Sequence, residues 1–284
     1  MTRIRPTAVA GMFYPGDAAE LSRNVNDLLL QADVSLSPAH GQRPATSYVR
    51  EVVALISPHA GYVYSGLTAA HAYALVRGLA FDAVIVVGPN HREYSDRITI
   101  YPGDAYCTPL GTIPIHDEIR SALVAHSQSI TISEIGHRSE HCIEVQLPFL
   151  QKVLGEFKLV PVIMGEQHAE MCNDLARAIA AVCREKTVLL VASSDLSHYH
   201  DYTVANRLDA IVAEEVSTFR PQELIHKLQS RRVEACGGGP MVAVMTAAKM
   251  LGATKSLILH RCNSGDTGGA RDSVVGYLSA AFMR

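Results

Sequence analysis

Excess charge, long apolar runs and tryptophan are all scarce or missing in this chain. Its 284 residues carry 25 basic and 28 acidic side chains, for a formal charge of -3 at pH 7 and a pI near 6.5. That balance lacks the basic footprint of a dedicated nucleic-acid binder. The longest stretch without Asp, Glu, Lys or Arg, from Val52 to Val76, is interrupted by Pro58, His59, Gly61 and Gly66, so no membrane span is expected. The opening M-T-R-I-R-P-T-A-V-A-G-M-F-Y-P has no continuous apolar core of a secretory leader. The six cysteines include no C-x-x-C pair and no spacing of a disulfide framework. A reducing, cytoplasmic setting is the expectation. No repeat of fixed period is present, which excludes solenoids and propellers. No G-x-S-x-G elbow, Walker A loop or complete G-x-G-x-x-G occurs either. Serine α/β-hydrolases, P-loop enzymes and standard dinucleotide binders are thereby disfavoured.

What is present is a foldable core. An apolar fraction of 48% excludes disorder, and a chain of this length buries roughly three quarters of its unfolded surface. Short continuous apolar runs at 52–56, 83–87, 159–163, 188–191 and 257–259 have the length and β-branched content of strands buried on both faces. Pro161 suggests that its run is an edge or irregular strand. Helical spacing fills 18–30, 66–79, 140–154, 169–183, 203–218 and 240–251. The stretches 98–101 and 273–282 alternate apolar with small residues and are expected as antiparallel additions at the sheet edge. Residues 33–50, rich in Ser, Pro, Gly and Gln, read as an exposed loop within one domain spanning 1–284. The predicted class is α/β: a three-layer α/β/α domain with a mostly parallel central sheet.

In such sheets ligands bind beyond the carboxyl ends of the strands. Three buried runs are followed there by a histidine: His59 in S-P-H-A-G-Y, His91 in G-P-N-H, and His198, with Asp195, in S-S-D-L-S-H-Y-H. A single histidine at a strand end is more often a core or capping group. Three at one rim form a site candidate. Cys236, in A-C-G-G-G-P, lies just before a predicted helix whose dipole and glycine amides, with Gly237 and Gly238 foremost, favour thiolate. The same turn is a candidate anion trap. Two imidazoles and a thiolate suit iron, copper or zinc. Tyr62, Tyr64 and Tyr199 are candidates for stacking on a ligand, and Glu140 and His141 for facing the same pocket. His137-Arg138-Ser139-Glu140-His141 also fits H-x-x-E-H, an inverted zinc-peptidase pattern. Ser139 as a helix N-cap would leave His137 outside that helix.

Taken together, R-P-T-A-V-A-G-M-F-Y-P, S-P-H-A-G-Y-V-Y-S-G, G-P-N-H, S-E-H-C-I-E-V-Q-L-P-F-L, S-S-D-L-S-H-Y and A-C-G-G-G-P make the chain resemble the Memo family over nearly its whole length. The resemblance implies a fold similar to protocatechuate-type extradiol dioxygenases, which hold non-haem Fe(II) with two histidines and a glutamate. Carried over, His59 and His91 match the metal histidines, Cys236 takes the glutamate's place, and His198 matches the acid/base histidine, with Asp195 setting its tautomer. A thiolate in place of a carboxylate softens the ligand set. The implied cofactor is Fe(II), with copper and zinc as alternatives. A small-molecule or peptide ligand and a functional link to a radical-SAM protein are implied as partners. Three functions follow as expectations: a metal-dependent oxidoreductase, a non-catalytic binding module on the dioxygenase fold, and a zinc hydrolase using His137 and His141.

Overall fold

The computed structural model describes residues 2–35 and 52–284. The centre is a nine-stranded sheet. Its middle is four parallel strands, β2 (Val52–Ser57), β9 (Val188–Ser193), β3 (Ala83–Pro89) and β8 (Leu159–Met164), in that order. Every residue of these four strands is buried, as expected of continuous Val/Ile/Leu runs with helices on both faces. The period of two sorts their side chains cleanly. Ala83, Ile85 and Val87 enter one core, and Val84 and Val86 the other.

The first core is covered by α3 (Asp117–His126), α5 (Ala169–Cys183), α6 (Tyr202–Ser217), α7 (Pro221–Gln229) and α8 (Gly238–Met250). The second is covered by α1 (Ala18–Ser35), α2 (Tyr62–Ala74) and α4 (Leu147–Leu154). Thus the three-layer expectation holds, with a mixed sheet. Antiparallel strands flank the parallel centre. β12 (Val274–Met283) pairs with β2, β10 (His198–His200) and β11 (Lys255–Asn263), while β4 (Ile98–Ile100) joins β8 antiparallel and β7 (Ile130–Ile132) parallel. A small separate sheet holds β1 (Ile4–Arg5), β5 (Ala105–Thr108) and β6 (Gly111–Pro114).

Several expectations are corrected. β8 is interior, although it carries Pro161: its ladder with β4 begins at Val162, so the proline stands outside that pairing and loses no bond to it. β4 and β12 are also interior, because β7 and β11 close the edges beyond them. α2 begins at Tyr62, four residues earlier than the sequence pattern suggests, and residues 140–143 precede any helix, with a 3-10 turn at Glu144–Gln146 leading into α4. Of the loop expected at 33–50, residues 33–35 continue α1 and the rest lies outside the described residues. All six cysteines are free. No helix among the described residues is long and apolar enough to cross a membrane.

Candidate metal centre

Strand register brings the site together. Ser57 stands beside Ser193, and Ala192 lies between Ile56 and Val87. The tips of β2, β9 and β3 are therefore level, and the residues just beyond them, His59, Asp195 and His91, emerge on one rim. α8 approaches the same rim with Cys236 immediately before it. Gly237 permits this approach, because a Cβ there would lie 2.3 Å from the Ser193 carbonyl oxygen. The nitrogen and sulfur donor atoms of His59, His91 and Cys236 all fall within 4.8 Å of one another, with Cys236 Sγ 3.1 Å from His59 Nε2.

The proton positions on these imidazoles follow from their partners. Ser193 Oγ donates to the Cys142 carbonyl (2.6 Å) and accepts from Gln146 Nε2 (2.8 Å). Gln146 is itself oriented by Tyr73 Oη, which donates to its Oε1, and by the Pro58 carbonyl, to which its Nε2 donates. With its one proton spent, Ser193 Oγ accepts from His59 Nδ1–H at 2.9 Å and leaves Nε2 with a bare lone pair. His91 Nδ1–H donates to Glu140 Oε1 at 3.0 Å, again leaving Nε2. This is the outer-shell arrangement that fixes metal-binding histidines. Burial, helped by the neighbouring His141 and His91, pushes the His59 pKa well below the ordinary imidazole value, so His59 is neutral and a good ligand.

Glu140 supports His91 from behind. It is 2% exposed, and its oxygens also accept from the backbone N–H groups of His91 (2.6 Å), His141 (2.8 Å) and Cys142 (3.0 Å). Burial raises its pKa, but the adjacent His141 and His91 imidazoles outweigh this and hold the carboxyl well below its usual range. His141 Nδ1 is 3.1 Å from Glu140 Oε1, too poorly aligned for a good hydrogen bond. Its ring stacks on His91 with centroids 4.8 Å apart.

A cavity of about 640 Å3 opens over this rim. His59, His91, His141, Asp195 and His198 line it, with Met12, Tyr64 and Tyr199 at its mouth. Asp195 Oδ1 accepts from the His59 backbone N–H at 2.8 Å, and burial raises its pKa against the pull of that bond and of His198.

Several candidates need correction. The tautomer of His198 is set by the Leu196 carbonyl, which accepts from Nδ1–H at 2.8 Å, and not by Asp195. Tyr62 is a core residue, packed on Phe149 and donating to the Val145 carbonyl at 2.6 Å. Burial, and next the Asp195 carboxylate, push the Cys236 thiol well up. It is therefore a thiol in the metal-free protein, whose proton points at the bare Nε2 of His59. The glycine turn traps no anion, since its amides are taken: Gly237 by Ser194 Oγ (3.0 Å), Gly238 by the Ala235 carbonyl (3.1 Å) and Gly239 by Gln167 Oε1 (2.7 Å).

The H-x-x-E-H reading also falls. His137 belongs to none of the metal-ligating groups among the described residues. Its Nδ1 accepts from Tyr106 Oη (2.6 Å), and its Nε2–H donates to Thr99 Oγ1 (3.3 Å), whose own proton goes to Ile135. Burial lowers its pKa to about 3. Since the folded value is depressed, the stabilisation is complete above the unfolded value of about 6.5 and is lost as pH falls toward 3. Urea titrations should show a His137 contribution of roughly 3 kcal/mol lost between pH 7 and pH 4. His137→Gln should lack this part of the pH dependence, and an equal loss in both proteins would refute the assignment.

One pair was not legible as part of the site. Asp209 of α6 is 2% exposed and accepts from the Ser197 N–H at 3.0 Å, just before His198. Its space exists because residue 276 is glycine: a Cβ there would sit 1.8 Å from Asp209 Oδ2. Gly276 also clamps the loop, accepting from Leu196 N–H (2.8 Å) and donating to the Ser197 carbonyl (2.9 Å). Gly276→Ala should destabilise by about 1–3 kcal/mol through overpacking. It should also turn the single Nδ1–H tautomer of His198 into a mixture, read in long-range 1H–15N spectra. An unchanged tautomer would contradict this role.

The family model described as Memo-like protein matches residues 5–281. A MEMO1 family protein of Methanobrevibacter smithii is 38% identical over 285 residues, covering 98% of this chain and 99% of its own. Counterparts in Nitrosopumilus maritimus and Aquifex aeolicus are 35% and 36% identical, each covering 99% of this chain and 100% of its own. Among solved structures, an uncharacterised protein of Escherichia coli K12 superposes with a TM-score of 0.58 at 17% identity, over 81% of this chain and 99% of that one. At that identity it shares the fold alone.

Proposed function

The chain belongs to the Memo-like family, and from that premise and the donor set at the strand rim we propose that it binds one redox-active metal ion, Fe(II) or copper, and oxidises a small molecule. The observation carrying this reading is the convergence of His59, His91 and Cys236 within 4.8 Å, with Nδ1 of both histidines engaged by fixed acceptors. The residues fit the ion: two imidazoles that turn Nε2 to the rim and a thiol suit borderline and soft metals, whereas Mg2+ and Ca2+ prefer oxygen. Bound there, the ion would supply Lewis acidity and one-electron chemistry.

The protein's own groups have distinct tasks. His59, His91 and Cys236 would hold the ion, Cys236 as the thiolate. His198, with Nδ1–H tied to Leu196, keeps Nε2 as the atom that accepts or returns a proton at the cavity. Asp195 holds His59 in place by accepting from its backbone N–H. Tyr64 and Tyr199 flank the mouth, where a ligand ring would stack. Anaerobic equilibration with Fe(II), followed by metal analysis, tests the reading. One equivalent per chain is expected. A wild-type content no greater than that of a His59→Ala/His91→Ala variant would overturn it.

A further inference from the structure

A second cavity, of about 540 Å3, opens beside Cys236. Ile225 and Leu228 of α7 wall it, together with Val233 and Ala235. It shares His198 with the cavity over the rim, and it includes Cys236 in its own lining. The cluster is thus approached from two sides, by cavities that meet at His198. The volume is in the range of about 300–1,000 Å3 usual for small-molecule sites.

The polar groups along this second cavity are largely committed. Gln167 donates to the Cys236 carbonyl at 2.9 Å and accepts from Gly239 N–H at 2.7 Å. Glu234 pairs with His200 at 3.0 Å. Arg231 differs: it is an exposed lining residue, and no carboxylate among the described residues pairs with its guanidinium. Its backbone is also unusual, with φ at +54° where the chain leaves α7, Arg231 N–H donating to the Leu228 carbonyl at 3.0 Å. Glycine or asparagine ordinarily takes such a helix-ending position, because other side chains are strained there. An arginine at that place with its charge unmatched, beside a largely apolar cavity, fits a ligand-binding role better than a capping one.

We propose that this cavity binds a small monocarboxylate with an apolar body. The carboxylate sits on the Arg231 guanidinium, a planar fork suited to it. The body lies against Ile225, Leu228 and Val233, and its far end reaches Cys236 and His198. The binding stands independently of any metal, while its relevance to chemistry rests on the metal reading above.

Octanoate is a suitable probe, with 1-octanol as its uncharged counterpart, titrated into metal-free protein and followed through methyl NMR signals. Octanoate should shift Ile225, Leu228 and Val233 and leave Met12 and Val63, which line the other cavity, in place. Arg231→Gln, a change at an exposed residue, should weaken octanoate at least tenfold and leave 1-octanol unchanged. Equal octanoate affinity in wild type and Arg231→Gln would overturn the proposal, as would shifts confined to Met12 and Val63. The iron content of the wild type, measured separately, reports failure of the metal reading alone.

Discussion

Replacing Cys236 with serine is expected to lower Fe(II) or copper affinity by more than about 100-fold. Outer-shell partners of metal histidines alone are worth roughly 10–100-fold, and loss of a ligand atom should exceed that. Serine keeps the size but offers a hydroxyl that stays protonated at neutral pH, a poor match for a soft metal. The fold should persist, since a serine hydroxyl can accept from the Asp195 N–H as the sulfur does at 3.3 Å, and the backbone bond to the Asp195 carbonyl is kept. Competition with a chelator of known affinity measures the effect, and urea unfolding of the metal-free variant confirms that stability is kept. Ser193→Ala provides a graded companion. It removes the acceptor that holds His59 in the Nδ1–H tautomer and should cost about 10–100-fold. Unchanged affinity in Cys236→Ser would remove the thiol from the centre.

The second large effect concerns stability. Glu144→Ala should destabilise the protein by about 3–5 kcal/mol, the usual cost of breaking a buried ion pair. Arg5 and Glu144 are 1% and 0% exposed and directly paired. Arg5 also donates to the carbonyls of His137 and Glu140. Glu144 accepts from Ala8 N–H (2.7 Å), Val9 N–H (3.1 Å) and Tyr14 Oη (2.5 Å), so its loss orphans a cation and three further donors. Burial and the Glu144 charge push the Tyr14 phenol well up, so it remains the donor throughout the physiological range. Arg5→Met/Glu144→Leu, which replaces both charges with apolar groups, should recover the part of the loss due to the unpaired buried charge, while the Ala8, Val9 and Tyr14 donors stay without their acceptor. Denaturant midpoints with unchanged slopes check both outcomes. A loss below about 1 kcal/mol in Glu144→Ala, the usual size for an exposed pair, would show that the pair is not buried in solution.

The strand-end histidines were legible because each follows a buried run directly, so local sequence fixes both the strand and what lies just past it. The same holds for α5, whose apolar spacing gave its limits of 169 and 183. What escaped are groups joined only by tertiary contact. Gln146 and Ser193 set the tautomer of His59 across gaps of 88 and 134 positions to Pro58 and His59, and nothing near either residue announces it. Glu144 looks like an ordinary acidic residue until the N-terminal segment folds over it. Gly276 is an unremarkable strand glycine until Asp209 is placed against it. Pro161 misled because the rule against interior proline assumes pairing along both sides, and one ladder stops a residue short. Two of the thirteen histidines have a role of another kind: His116 and His168 accept from Ile119 N–H and Met171 N–H as helix N-caps, a role usually given to Ser, Thr, Asp or Asn.

The central claim is that the thiol of Cys236 and the imidazoles of His59 and His91 bind one ion together. X-ray absorption at the metal edge of anaerobically loaded protein tests it most directly. One sulfur and at least two imidazole nitrogens should be bonded to the metal in the wild type, with the sulfur absent in Cys236→Ser. A first shell of nitrogen and oxygen alone in the wild type, unchanged in the variant, would contradict it.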